Sequence, residues 1–448
     1  PNGVASDDNP SRRSGLRRWP RHRPTRQRST CLSFPGTYGY PMILHARTLI
    51  VAFAALVVPV AAAPPAVAQI PSQAPDSTDV YHSARHDFRV VVVTEDLEFP
   101  WSMAWLPTGE MLVVERPGRL RILRDGVLDP DPIEGFPAVY RPRGQGGFMD
   151  ILPHPDFAQN RLLYLSYGKP NADGSEGATA IVRGRLDGNR VVDVQEIFVA
   201  DAWHGNNNHF SGRLTFDTEG YLYLAVGDRQ ADPNLLTSHP SQDPSNHGGT
   251  LVRLHDDGRV PDDNPFIGHP SARPEVWSYG HRNIQGLATD PRTGAIWSNE
   301  HGPRGGDELN RILPGRNYGW PVVTHGVNYD GTVITRDTHL DSMEDPLYLW
   351  TPSIGVSGLM IYSGDAFPWW QGNAFLAGMI GERLVRITFA DDDVVSEEML
   401  LHQQFGRVRD VRQGPDGFIY LALENRESQP MSIVRLEPVV GEVKPPGR

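Results

Sequence analysis

From about residue 86 to residue 440, short apolar runs alternate with Gly, Pro and Asp turns, and long amphipathic helical periods are rare. Short runs rich in aliphatic and aromatic residues, bounded by turn formers, predict strands. "YLYLAVGD" (Tyr221 to Asp228) and "MLVVER" (Met111 to Arg116) are typical. The pattern also repeats. An aliphatic-Arg-aliphatic strand recurs at "RLRIL" (Arg119), "IVRGRL" (Ile181), "LVRLHDDG" (Leu251), "LNRILPG" (Leu309), "LVRITF" (Leu384) and "IVRLEP" (Ile433). Most copies follow a Pro-x-Gly or Asp-x-x-Gly turn and an aromatic-rich strand, as in "LPTGEMLVV", "FDTEGYLYLAV", "DPRTGAIWSN" and "GPDGFIYLAL".

Six such units, spaced irregularly, predict an all-β fold: a six-bladed β-propeller with four-stranded antiparallel blades around a central channel. A single blade exposes a hydrophobic face, and closing the ring buries all of them. A two-sheet sandwich is the alternative, but it does not account for a sixfold repeat. The recurrent arginines are expected on an outer strand, facing solvent or packing within the ring rather than binding a ligand. Two inserts, Arg229 to Pro274 and Pro314 to Pro352, exceed what a blade requires. Long loops in a compact domain are often functional, so they are candidate pocket walls.

The ends of the chain read differently. Residues 1–41 carry eight arginines and two aspartates among many Pro, Ser and Gly residues, a composition that cannot bury enough apolar surface to order itself. We expect an upstream or disordered basic segment there, the alternative being a basic tail for nucleic acid or anionic lipid. "MILHARTLIVAFAALVVPVAAAPPAVAQ" begins at Met42, with Arg47 as a basic n-region, Leu49 to Val60 as an apolar h-region and Ala66-Val67-Ala68 as a small-residue cleavage site. This predicts a secretory signal over 42–68, cleaved near Ala68 to leave a periplasmic or secreted protein with no membrane span. A linker is expected over 69–85, the propeller over 86–440 and a tail over 441–448.

Without the +6 of the first segment and the +1 of the second, the net charge of −12 becomes about −19. That argues against a nucleic-acid partner, which requires a basic face. The single cysteine, Cys31, lies in the first segment, so cysteine zinc sites and thiol chemistry are excluded from the mature chain. Its stability must come from the core.

Polar clusters occupy one position in several units, just ahead of a predicted inner strand. They are "RPRGQGGFMDI" with Gln145, "GNNNHFSGRLTF" with Asn208 and His209, "GHRNIQGLA" with Arg282 and Asn283, and "GRVRDVRQ" with Arg407 and Arg409. Inner strands line the channel, so these groups converge on the axis. Arginine pairs with carboxylates through a two-pronged fork, so the set suits a flat, multiply anionic ligand. The other reading of the arginines is blade-to-blade ion pairing. In "NEHGPRGGDELNRILPGRNYGWP" a tight loop offers backbone carbonyls at Gly302 and Pro303 with Asp307 and Glu308 beside them. Such hard oxygens suit Ca²⁺, although a plain turn explains the loop as well.

Taken together, "HFSGRL", "GHRNIQGLA", "EHGPRGGDELN", "GRNYGWP" and "RVRDV" resemble the soluble PQQ-dependent aldose sugar dehydrogenases, the glucose/sorbosone dehydrogenase family, in order from about Phe99 to Leu436. The resemblance implies a six-bladed propeller that holds pyrroloquinoline quinone (PQQ) and Ca²⁺ on its axis and oxidises aldoses to lactones. It implies His209 as general base and Arg282 as the cation beside the reacting quinone carbonyl. Gln145, Asn208, Asn283, Arg407 and Arg409 fall on cofactor-binding positions, and Ser357 and Gly358 of "PSIGVSG" on the pocket wall. Gly302 and Pro303 match the carbonyls that hold the catalytic Ca²⁺; Glu308 and Tyr318 resemble ligands of a second, structural one.

One departure stands out. A lysine that contacts PQQ in the family aligns with Ile380 of "FLAGMIGERLVRI", and the chain's only lysines are Lys169 and Lys444. A lost charge-assisted contact costs roughly 1.5–3 kcal/mol, about tenfold to a hundredfold in affinity. Either PQQ binds more weakly or Arg383 partly substitutes. No Cys-x-x-Cys-His haem site is present, so electrons must leave to a separate acceptor; the oligomer is expected to be a monomer or homodimer. Two other functions fit a propeller: a Ca²⁺-dependent lactonase, which would need axial carboxylates where this chain has arginines, and a non-catalytic module that binds glycan or protein.

Overall fold

A computed structural model of the protein describes residues 78–140, 144–390, 393–425 and 431–439. The expected basic segment at 1–41, export signal at 42–68 and tail at 441–448 lie outside the described residues. The rest is nearly all strand, arranged as six antiparallel sheets. Blade 1 runs Pro100–Trp105, Met111–Glu115, Arg119–Arg124 and Val127–Leu128, and blade 2 runs Phe148–Pro153, Leu162–Pro170, Gly177–Asp187 and Arg190–Val199. Blade 3 is Ser211–Phe216, Leu222–Val226, Thr250–Leu254 and Val276–Tyr279; blade 4 is Ile284–Thr289, Ile296–Glu300, Asp307–Ile312 and Tyr348–Trp350. Blade 5 is Val356–Ile361, Ala374–Gly378, Arg383–Ala390 and Asp393–Leu400. Blade 6 joins both ends of the domain: Arg407–Gln413, Ile419–Glu424 and Met431–Pro438 accept Asp87–Leu97 as a fourth strand, in the register Phe88↔Pro438, Val90↔Leu436 and Leu97↔Met431, and the short Tyr81–His82 adds a fifth at the edge. The first strand of each blade packs on the first strand of the next, and the sixth returns to the first. The fold is a six-bladed β-propeller.

The aromatic-rich runs of the sequence are the second strands, and the aliphatic-Arg-aliphatic copies are the third strands of all six blades. In five of the six, the repeated arginine lies opposite an aromatic residue: Arg183↔Tyr164, Arg253↔Tyr223, Arg311↔Trp297, Arg386↔Phe375 and Arg435↔Tyr420. These arginines therefore stand one strand in from the rim, not on the outermost strand. Their stems and guanidinium groups cover cross-strand neighbours.

Second strands carry apolar residues on both faces because both are packed. In Met111–Glu115, Leu112 and Val114 point to the cluster shared with blade 2, while Met111 and Val113 point to the one shared with blade 6. Leu222, Leu224 and Val226 face blade 2; Tyr223 and Ala225 face blade 4. Six such clusters fill the six gaps between neighbouring blades. The core is therefore a ring of wedges, and none is complete without the next blade.

A different material fills the channel. Arg213 of blade 3 ion-pairs with Asp410 of blade 6 at 2.9 Å, and Arg412 bridges Asp410 (3.0 Å) and Asp150 of blade 2 (2.9 Å). The carboxylates also accept backbone N–H groups, Met103 of blade 1 on Asp410 Oδ2 (3.2 Å) and Leu214 on Asp150 Oδ2 (3.0 Å). Arg213 also donates from Nε to the Gln285 carbonyl of blade 4 (2.6 Å) and stacks 4.0 Å over the Trp101 ring. Its side chain is 1 % exposed, and those of Asp150 and Asp410 are 1 % and 0 % exposed. Removing one member of such a set strands a buried charge. Asp410→Asn is expected to cost about 3–5 kcal/mol, measured as a lower midpoint in urea unfolding at an unchanged slope.

Candidate active site

The hairpin between the first and second strands of each blade brings the start of the inner strand and the end of the next strand to the same rim of the channel. The registers Ser211↔Val226, Ile284↔Glu300, Val356↔Gly378 and Arg407↔Glu424 set this up. Residues just before inner strands and just after second strands thus share one rim.

His209 precedes the inner strand of blade 3 and has φ of +52°, an uncommon conformation for a residue with a side chain. Its backbone N–H donates to Gln145 Oε1 at 2.9 Å, so the blade 2 loop holds it in that conformation. The ring is fixed from the other side. Nδ1 meets Asp228 Oδ1 at 2.6 Å, and both residues are buried. Asp228 also accepts the Gln230 N–H (2.8 Å) and the Trp320 indole N–H (2.9 Å). With Nδ1–H donated to this carboxylate, Nε2 carries the lone pair. Burial lowers the His209 pKa from its ordinary value and Arg282 adds to the effect, while Asp228 opposes it. Burial pushes the Asp228 carboxyl up, but His209, Arg282 and His239 outweigh it and the net shift is downward. The result is a neutral imidazole backed by a carboxylate.

Arg282 is buried, and among the described residues no carboxylate lies within ion-pair distance of its guanidinium. Nη1 donates to the carbonyls of His301 (3.1 Å) and Gly302 (2.9 Å), Nη2 reaches the Tyr329 hydroxyl at 3.4 Å, and Trp320 lies 5.1 Å away, ring centroid to Cζ. Nε has no hydrogen-bond partner. Its backbone N–H is held by Glu300 at 2.6 Å. Asn283 is fully buried; its Oδ1 accepts from Ser211 and Gln285, and its Nδ2 is left without a partner. Both residues keep donor capacity that the protein alone does not use.

Two hollows meet at this rim. A cleft of about 550 Å³ is lined by Gln145, Asn208, Gly302, Pro303, Ile380, Arg407 and Arg409, together with Arg116, Tyr329 and Glu424. A cavity of about 160 Å³ lies beside it, lined by His209, Asp228, Gln230, Asp232, Arg282, Trp320 and Asn328. Pro303 and Tyr329 line both. His209 and Arg282 therefore face the smaller cavity, and the cationic residues of blade 6 face the larger cleft. The two long inserts supply the walls of the smaller cavity, as their length predicts. The first is not one loop, because the third strand of blade 3, Thr250–Leu254, divides it.

Arg409 does not stand free. Its Nε and Nη2 both donate to Glu424 Oε2, at 3.0 and 2.8 Å. Arg407 lies 3.9 Å from the same carboxylate and donates to the Met379 carbonyl at 3.4 Å. Burial raises the Glu424 pKa, but Arg409, Arg407 and Arg116 overcome this and bring it to about 2. Ser357 and Gly358 are buried inside the ring and are not among the residues that line either hollow. The Ser357 hydroxyl donates to the Arg409 carbonyl at 2.6 Å, and a Cβ at Gly358 would overlap the Asp410 carboxylate. They brace blade 5 against blade 6 and do not form a pocket wall.

Gly302 donates its N–H to Asp307 Oδ1 at 3.0 Å, while Asp307 Oδ2 collects the N–H groups of Ile354, Gly355 and Val356. Asp307 is thereby spent on the backbone. Glu308 is different: burial first, then Glu300, Asp307 and Asp345, pushes its carboxyl up to about 8, against a hydrogen bond from Asn310. Tyr318 turns its hydroxyl to the Arg311 carbonyl (2.6 Å) and stacks on His281.

Asp228, Trp320, Glu424, Arg116 and Tyr329 are site residues that reading the starts of inner strands does not reach. The same repeat holds the missing signal. Asp228, Glu300, Glu424 and Arg116 all end the aromatic-rich second strands or follow them within two residues.

A sequence model of the glucose/sorbosone dehydrogenase family, "Glucose / Sorbosone dehydrogenase", matches residues 97–435. The chain belongs to that family. As a family member it is an oxidoreductase acting on sugars. It is 40% identical over 349 residues to the aldose sugar dehydrogenase YliI of Escherichia coli, covering 77% of this chain and 92% of that one. The crystal structure of the soluble aldose sugar dehydrogenase of E. coli in its apo-form superposes with a TM-score of 0.73 at 38% identity, covering 79% of this chain and 100% of that one. The PQQ-bound aldose sugar dehydrogenase of Streptomyces coelicolor superposes with a TM-score of 0.63 at 26% identity, covering 82% and 100%.

A carboxyl whose pKa is raised on folding keeps its proton when the unfolded chain has lost it. Stability then falls as pH rises from the ordinary value near 4.5 to about 8. In the presence of a chelator, Glu308→Gln is expected to flatten the decline in melting temperature across that window relative to the parent.

Proposed function

We propose that the protein oxidises the anomeric hydroxyl of aldose sugars to lactones, with PQQ held in the larger cleft and the sugar beside His209. The observation that carries this reading is the buried His209–Asp228 pair, which opens with the partner-poor Arg282 onto a cavity next to an arginine-lined cleft. The S. coelicolor relative was solved with PQQ bound, and the residues here suit that cofactor. Guanidinium groups on the cleft wall match a planar group that carries three carboxylates, and Arg282, with an unused Nε donor, lines the adjoining cavity.

The Gly302 and Pro303 carbonyls would give Ca²⁺ only part of a shell, and the Gly302 carbonyl also accepts from Arg282. Two carbonyls fall short of the six to eight oxygens that Ca²⁺ takes, so the cofactor must supply further ligands. Glu308, an acid among acids, fits a second cation that would discharge it. Tyr318, whose hydroxyl is already bonded to Arg311 and Leu313, has only its backbone carbonyl to offer such an ion.

When bound, PQQ supplies a two-electron acceptor for the hydride and Ca²⁺ the Lewis acidity that activates it. The chain's own residues supply the rest. His209 Nε2 takes the proton of the anomeric hydroxyl, which releases the electron pair that expels hydride from the anomeric carbon. Asp228 holds the ring in the tautomer with Nε2 free and stabilises the imidazolium that forms, as a carboxylate does in other base dyads. Arg282, itself buried, presents a fixed positive charge where negative charge grows. Trp320 and Tyr329 offer apolar faces, and Gln230, Asp232 and Asn328 offer polar groups, to a sugar ring. Electrons then pass to a separate acceptor. We infer export, with the signal at 42–68 removed. No helix among the described residues is long and apolar enough to cross a membrane.

Aldose oxidation with an artificial dye acceptor is expected only after PQQ and Ca²⁺ are added. Absence of PQQ binding at micromolar concentration would overturn the proposal. His209→Ala should lower kcat by about 10²- to 10⁴-fold. The base must be neutral to act and its pKa is lowered, so activity should persist below pH 6.5 and be lost as pH falls through the lowered value. Asp228→Asn removes the group that favours the imidazolium, so the acid limb of kcat/KM should move further down.

A further inference from the structure

Resting on the reading of His209 as the base, the geometry points to Arg229 as its positioning residue: one buried guanidinium, caged by backbone carbonyls, shapes the loop that delivers Asn208 and His209 to the two hollows and keeps a fixed positive charge near the imidazole. Arg229 follows Asp228 directly, has φ of +55° and is 3 % exposed. Among the described residues no carboxylate lies within ion-pair distance of its guanidinium; the ion-pair partners of Asp228 are His209 and His239. Burying a cation without an acid is costly unless its donors are satisfied. Carbonyls satisfy them. Nη2 donates to Asn206 (2.7 Å), Gly177 (3.4 Å) and His204 (3.5 Å), Nη1 donates to Asn208, and Cζ lies 3.4 Å from the Phe210 ring centroid.

The segment from His204 to Asn208 lies between the last strand of blade 2 and the first of blade 3, so no sheet ladder holds it. Its backbone groups must find partners elsewhere. The His204 carbonyl accepts the Gly177 N–H (3.1 Å), Gly205 the Tyr140 hydroxyl (3.3 Å) and Asn207 the Gln145 N–H (2.8 Å). Asn206 and Asn208 are left to Arg229. A planar fork of five donors suits several carbonyls at once, where a lysine presents only a point charge. The Arg229 N–H also donates to the His209 carbonyl (3.3 Å), and the chain passes so close that a Cβ at Gly227 would overlap that carbonyl. Three successive residues therefore grip the loop: Asp228 the His209 ring, Arg229 the Asn208 and His209 carbonyls, and Gln230 the Asn208 side chain (2.8 Å).

Burial lowers the Arg229 pKa to about 10, against Tyr140 and Asp228, so the residue stays a cation at neutral pH. Around His209 stand Asp228 and Arg229 of blade 3, with His239 behind Asp228 and Asp232 on the cavity wall, then Arg282 and His301 of blade 4 and the neutral Gln145 of blade 2. Asp228 favours the imidazolium, and the two arginines oppose it.

Proton NMR of the His209 ring in the apoprotein, titrated with pH, tests this beside the pH profile of kcat/KM with PQQ and Ca²⁺ added. Arg229→Met keeps the stem but removes the charge and the donors. The His209 midpoint and the acid limb should both move to higher pH, the opposite of Asp228→Asn, and kcat should fall by up to about a hundredfold as the loop relaxes. The midpoint is read on folded molecules, so lost stability does not imitate the shift. Arg229→Lys keeps the charge without the fork, so its midpoint should stay at the parent's while kcat falls between the parent and Arg229→Met. A His209 midpoint unchanged by Arg229→Met, or a lysine variant with the parent's kcat, overturns the inference; should Arg229→Met not fold, the lysine variant decides. A midpoint that rises while the acid limb stays in place overturns His209 as the base and leaves the effect of Arg229 on its ring intact.

Discussion

The buried charge cluster on the axis is the constraint on which the rest of the molecule depends. Asp150, Arg213, Asp410 and Arg412 form a neutral set of two acids and two bases, the first three fully buried and Arg412 mostly so. Every blade contributes to it: Met103 and Gln285 through backbone groups, Gly358 through the room it leaves beside Asp410, and blades 2, 3 and 6 through the charged side chains. A hydrophobic plug could be filled by many registers of six strands. Paired charges with assigned partners tolerate few, because each misplaced ion would be left buried and unpaired. The cluster thus sets how the inner strands stand relative to one another, and with them the rim above.

That rim divides its work between two kinds of position. Residues ahead of inner strands contribute His209, Arg282, Asn283, Arg407 and Arg409. Residues at the ends of second strands contribute Asp228, Glu300 and Glu424, which orient or neutralise members of the first set. Antiparallel hairpin register makes the two kinds neighbours in every blade. The imidazole is kept neutral by burial and backed by a carboxylate. A guanidinium beside it is satisfied only by carbonyls, a hydroxyl and a ring, so its charge stays available. The left-handed backbone at His209 is held by Gln145 from the preceding blade, strain of the kind that persists where neighbours over-determine a functional residue.

Much of the fold is legible in the chain because propeller physics is periodic. Third strands can be counted from their arginines, and second strands from aromatic-rich runs with apolar residues on both faces. The converging polar clusters are legible for the same reason. What escapes is whatever depends on contact between blades. Nothing in "PSIGVSG" distinguishes a pocket wall from a brace, and only the packing of Ser357 on Arg409 and of Gly358 on Asp410 makes it a brace. Glu424 closes "YLALE" without distinction, yet two arginines some fifteen residues earlier in the chain converge on it. Tyr318 and Glu308 lie close in sequence, but their hydroxyl and carboxyl groups take different partners.

By itself, then, the sequence determined the number of blades, the strands within each and the set of groups brought to the axis, because those follow from local periodicity and turn chemistry. Tertiary structure decided which of those groups pair with each other and which remain free for a ligand. Pair choice depends on distances between segments far apart in the chain. Arg409 is committed to Glu424, while Arg282 is held only by neutral groups. That difference comes from the closure of the ring, and no local pattern encodes it.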